Sequence, residues 1–124
     1  GAIPAAMQSF AKKAVQRALK DPLALDRALG EWMTEPKASV WFETHEVPRK
    51  LTTVRLHRRS RMMYDKHHIF LNGESWRASG QDARLMRQLA DQRVLSPETL
   101  SLASADALEL LTQWHMDGWL ENTL

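Results

Sequence analysis

The sequence contains no cysteine. That excludes disulfides, thiolate metal sites and cysteine nucleophiles, and it is compatible with a reducing cytoplasm, the expected compartment. No apolar run approaches the roughly 20 residues that a membrane-spanning helix needs, so no membrane partner is expected. The opening Gly1-Ala2-Ile3-Pro4 has no initiator Met and neither the charged nor the apolar part of a signal peptide, and reads as a processing boundary. Internal repeats and low-complexity segments are also lacking. A length of 124 residues suits one small domain with a helical arm and leaves no room for a large catalytic barrel.

Hydrophobic residues at 44% and charged residues at 26% are ordinary globular values. Net charge is only +2, but its sign is unevenly spread. Residues 1–66 hold 13 Lys/Arg against 7 Asp/Glu, a net +6, whereas residues 67–124 hold 4 against 8, a net −4. The pI near 9.2 is therefore a poor guide to nucleic-acid affinity, because the C-terminal half is acidic.

Apolar residues at Phe10, Ala14, Val15, Ala18 and Leu19 recur at helical spacing and predict an amphipathic helix over 5–20. Asp21-Pro22 ends it and opens another: Asp21 is the expected cap, Pro22 the first helical residue, and Leu25, Leu29, Trp32 and Met33 the apolar stripe. Two short helices joined this tightly form an αα-hairpin whose combined stripes need a further surface to cover them. Val40-Trp41-Phe42 reads as a short strand or extended segment, and 52–56 alternates weakly.

Arg61 to Tyr64, a turn at Asp65-Lys66, and His68 to Leu71 read as a β-hairpin. The Asn72-Gly73 pair then signals a tight type I′ turn, with 74–78 as the returning strand. Ser79 to Asp82 opens a helix running through Arg93, with Ala83, Leu85, Met86, Leu89 and Ala90 inward. Ser96 caps a second helix with Pro97 in its first turn. A third helix begins near Ser104 and runs to about Asp117, with Ala107, Leu108, Leu111, Trp114 and His115 on one face. Gly118 is its expected stop, and Trp119-Leu120 leaves as an extended tail. The expected fold class is α+β, mainly helical, with residues 1–48 as a helical segment and linker and 49–124 as a domain carrying a small β-hairpin and three helices, which the family resemblance given below implies is winged-helix-like.

Several clusters invite a chemical reading. His115-Met116-Asp117 has the His-x-Asp spacing of an iron-binding facial triad, but it ends an apolar helix face with no third ligand after it, so packing is expected. His67 and His68 beside Asp65 suggest a small metal or acid–base centre, yet adjacent strand residues point to opposite faces. The basic run Arg55, Arg58, Arg59 and Arg61 is a candidate contact for ribosomal RNA or DNA, or a solvated linker. The helix from Ser104 stands where a helix-turn-helix protein reads DNA, but it carries Asp106, Glu109 and Asp117 and no Lys or Arg, so DNA is not an expected partner. Of the five tryptophans, Trp32 and Trp41 lie near a hairpin too small to bury them, and suit a subunit interface as well as a core.

Two blocks carry a family resemblance. Gly30-Glu31-Trp32-Met33-Thr34-Glu35-Pro36-Lys37 with Val40-Trp41-Phe42 resembles the junction after the helical dimerisation region of bacterial cupin (JmjC-type) ribosomal oxygenases. Ser60 to Tyr64, Phe70 to Trp76, Gly80 to Asp91 and Gly118-Trp119-Leu120 resemble that family's C-terminal winged-helix domain. The resemblance implies a parent enzyme in which an N-terminal cupin barrel binds Fe(II) and 2-oxoglutarate and hydroxylates an arginine of a large-subunit ribosomal protein. This chain would then be its non-catalytic part: not an enzyme alone, holding no catalytic, cofactor-binding or metal residues, and meeting the ribosomal protein only through the parent. A homodimer is implied, with Phe10, Val15, Leu19, Leu25, Leu29, Trp32 and Met33 as its interface. The alternative is a free-standing winged-helix nucleic-acid-binding module using the basic run 55–61; a further one is a small metalloenzyme using His67, His68 or His115.

Overall fold

The computed structural model describes residues 4–123, apart from the side chains of residues 14 and 17–20. Helix α1 (Ala5–Lys20) follows the predicted span, and α2 (Ala24–Thr34) turns back beside it. The second helix starts later than expected. Asp21 accepts a hydrogen bond from the Leu23 N–H at 3.0 Å, which closes a turn and leaves Pro22 outside the helix. Segment 40–42 forms no strand: Val40 closes a turn onto the Lys37 carbonyl at 2.9 Å, and Phe42 meets the His57 ring edge-on.

The chain then builds two antiparallel sheets. Strands β2 (Met62–Tyr64), β3 (His68–Leu71) and β4 (Glu74–Arg77) form a meander in chain order. Asn72 and Gly73 join β3 to β4 with φ of +50° and +91°, the pair of left-handed residues that a type I′ turn demands. At the other turn Asp65 Oδ1 accepts the N–H groups of His67 and His68 at 2.8 and 2.7 Å. Burial pushes this carboxyl up, but those two N–H groups and the neighbouring His68 outweigh it and hold Asp65 below the usual carboxylate range.

All four residues of β3 are buried, because the strand is covered on both faces. Ile69 and Leu71 enter the main core, while Phe70 lies on the other side under α2. The main core joins them to Leu85, Met86 and Leu89 of α3 (Gly80–Gln92) and to Leu111 and Trp114 of α5 (Ala105–Met116). Ser96 caps the short α4 (Pro97–Leu100) and Ser104 caps α5, each hydroxyl accepting an N–H three residues on. Leu108, placed inward from its spacing, is more than one-third exposed.

The second sheet joins segments far apart in the chain. Strand β1 (Thr53–Leu56) is its centre, flanked by β5 (Val94–Leu95) and β6 (Leu120–Thr123). The extended tail expected from Trp119-Leu120 is paired with β1, with Leu56 opposite Leu120. Helix α3 stops at Gln92, where Arg93 turns left-handed (φ +64°) and donates to the carbonyls of His57 at 2.8 Å and Ser60 at 3.0 Å.

Candidate functional site

Helix α2 docks on the β2–β3–β4 sheet through its small and polar side. Gly30 lies so close to the Phe70 ring that an added Cβ would overlap it. One turn on, the buried Thr34 hydroxyl donates to the Gly30 carbonyl at 2.9 Å and accepts the Gly73 N–H at 3.0 Å. Glu31 accepts from the Ser75 hydroxyl at 3.0 Å and meets Arg27 at 3.7 Å. Gly30, Glu31 and Thr34 belong to the block that carries the family resemblance and Gly73 to the Asn-Gly turn, but their docking role has no local signal beyond a glycine inside a helical pattern.

The apolar stripe consequently faces away from the domain. Phe10 is 70% exposed, Leu25 68% and Trp32 72%, with Val15, Leu29 and Met33 also exposed. The side chain of Leu19, placed in the same stripe, lies outside the described residues. Leu29 and Met33 line a groove of about 410 Å³ whose far wall includes the exposed Met63 and Tyr64 of β2, so the apolar surface runs from the hairpin onto the sheet. Scattered exposed apolar residues are ordinary, but Leu29 and Met33 of α2 share one groove with Met63 and Tyr64 of the neighbouring strand.

The basic run is dispersed. Arg55 projects from β1 in register with Glu121, while Arg58 and Arg59 sit in the loop leading to Ser60. All four arginines, Arg61 included, are exposed, and none is in an ion pair among the described residues. Arg58 and Arg59 share a cleft of about 340 Å³ with Glu43 and Glu121, so carboxylates interrupt the cationic surface that phosphates would need.

The histidines do not assemble a centre. His68 is buried and His67 partly so. His68 Nδ1 lies 3.4 Å from Asp65 Oδ1, an electrostatic contact that lacks hydrogen-bond geometry. His115 stacks on His45 with centroids 4.8 Å apart, and its Nδ1 reaches the Leu120 carbonyl at 3.2 Å. Among the described residues no group of three His, Cys, Asp or Glu side chains is placed to hold a metal. The donor set of an Fe(II) site is therefore not met here, and no helix of the described chain is long and apolar enough to cross a membrane.

A family model described as ROXA-like winged helix matches residues 16–121. No curated protein sequence matches the chain. Among solved structures it is similar to the Escherichia coli ribosomal oxygenase YcfD, at TM-score 0.72 and 14% identity over 100% of this chain and 37% of that one. A second crystal structure of the same protein gives TM-score 0.72 and 14% identity over 99% and 37%. The structure with cobalt and 2-oxoglutarate gives 0.71 and 14% over 98% and 36%. The chain thus spans just over one-third of the length of the oxygenase chains it resembles.

Proposed function

The chain belongs to the ROXA-like winged-helix family, and from that premise we propose that it is the dimerisation and protein-contact portion of a cupin-type ribosomal oxygenase dependent on Fe(II) and 2-oxoglutarate. The observation that carries this reading is the apolar stripe of Phe10, Val15, Leu25, Leu29, Trp32 and Met33, left exposed because α2 docks through Gly30 and Thr34. A second copy of the chain is the occupant that the reading assigns to it. A two-fold contact would set the stripe against itself, each large side chain that becomes fully buried contributing about 1.5–3 kcal/mol before association entropy is subtracted.

Catalysis belongs, on this reading, to a cupin barrel elsewhere in the parent protein, where the iron and the co-substrate would bind. No step of hydroxylation is routed through the residues described here, and a ribosomal protein would be the parent's substrate. The cytoplasm is the compartment that suits such a substrate. The acidic α5 supports a protein-contact role over a nucleic-acid one, since it presents Asp106 and Glu109 and no Lys or Arg. Incubating the 124-residue chain with Fe(II), 2-oxoglutarate and an arginine-bearing ribosomal peptide is expected to give no hydroxylated product by mass spectrometry. Stoichiometric product would overturn the assignment of a non-catalytic portion.

A further inference from the structure

Between β4, α3 and α5 lies a cleft of about 570 Å³, inside the roughly 300–1,000 Å³ typical of ligand pockets. Its floor is apolar. Trp76 is half-buried there, its ring edge-on to the fully buried Trp114 at 5.1 Å, and Met86 and Leu110 flank it. The walls carry three carboxylates, Asp82, Asp106 and Glu109, against one cation, Arg77. None of these four is in an ion pair among the described residues. Asp82 is held in place by Ser104, whose N–H it accepts at 3.3 Å and whose hydroxyl it also accepts. Asp106, Leu110 and Gln113 recur at helical spacing, so one face of α5 lines the cleft.

We infer that this cleft binds a cationic segment of a protein partner, with an Arg or Lys side chain laid over Trp76 and its charged head between Asp106 and Glu109. The two halves of the cleft select that chemistry together. A guanidinium or ammonium is attracted to an indole face, and its aliphatic stem covers apolar surface such as that of the partly exposed Leu110 while the head stays among charges. A purely apolar segment would desolvate the carboxylates without pairing them, and a nucleic acid would bring phosphates against them. The inference goes beyond the dimerisation reading and rests on the cleft alone, so it holds whether the chain is a monomer or a dimer.

The test is a titration of the ¹⁵N-labelled 124-residue chain, at low salt, with a short capped peptide alternating arginine and leucine. The Trp76 indole N–H and the α5 amides are followed by NMR. Both sets are expected to shift saturably, and a glutamate–leucine peptide is expected to shift neither. The double variant D106N/E109Q, two exposed positions on α5, should weaken binding roughly threefold to tenfold, the range set by removing two partly exposed ion pairs. R77Q should tighten it about twofold by removing the one opposing charge, a gain that misfolding does not mimic. The inference is overturned if Trp76 does not respond, if D106N/E109Q binds as tightly as the parent chain, if R77Q weakens binding, or if single-stranded RNA shifts the same resonances.

Discussion

Replacing Gly30 by Ala tests the docking of α2, the contact that leaves the apolar stripe facing outward. In a helix interior the change is intrinsically favourable by about 1 kcal/mol. Here the new methyl would overlap the ring of Phe70, itself buried between α2 and the sheet. Overpacking of this kind costs about 1–3 kcal/mol. If α2 lifts to relieve it, the hydrogen bond from the Gly73 N–H to Thr34 is lost as well, about 0.5–1.5 kcal/mol more. The net expectation is destabilisation of roughly 1–3 kcal/mol, equivalent to a Tm lower by about 3–10 °C for a chain of this size. Hydrogen exchange at the Gly73 amide reads the undocking directly, and it should accelerate even if the remaining domain keeps its Tm. Adding F70L to G30A removes the colliding ring atoms and should recover part of the loss, a coupling of about 0.5–2 kcal/mol in a double-mutant cycle. A G30A chain with unchanged Tm and an equally protected Gly73 amide would refute this packing.

Gly118 offers a harsher case: its φ is +83° and an added Cβ would overlap the Glu43 carbonyl, a backbone atom that cannot rotate away. G118A should therefore lower stability by about 2–4 kcal/mol in denaturant titrations and speed exchange of the His45 amide, which donates to the Met116 carbonyl at 2.9 Å. Asp65 sets an acid limb. Its folded pKa is depressed, so its contribution is fully present above the unfolded value of about 3.9 and is lost as pH falls through the folded one. D65N should unfold more easily than the parent chain at pH 7, the gap narrowing as pH falls through and below the ordinary carboxylate range; a gap that is constant with pH would contradict this.

What the sequence made legible was local. The Asn72-Gly73 turn, the Ser96 cap, the start of α5 near Ser104 and its stop before Gly118 each rest on neighbours within four residues, and appear as expected. The sheet around β1 did not, because β5 is only two residues long and β6 pairs with β1 across some 64 to 70 positions. The helical period runs through Arg93, yet this residue turns left-handed and its side chain donates to the distant carbonyls of His57 and Ser60. The stripe of α2 was visible as a period, and its exposure followed from a feature with no local signature: Gly30 fits against Phe70, forty positions away. The cleft was equally hidden, since Trp76 of β4 and the Asp106–Glu109 pair of α5 stand some thirty positions apart in the chain. The ROXA-like winged-helix assignment and the α+β class agree with the expectation drawn from the two motif blocks.

The most direct measurement is the absolute solution mass of the 124-residue chain by light scattering over a concentration series, alongside W32E. Trp32 is 72% exposed on α2 and touches none of the docking hydrogen bonds, so the variant alters the stripe without undoing the fold. The expected result is a dimer that persists on dilution and that W32E shifts to monomer with unchanged helix content. A strict monomer at every concentration, or a dimer indifferent to W32E, would contradict the assignment of the helical hairpin as the subunit interface.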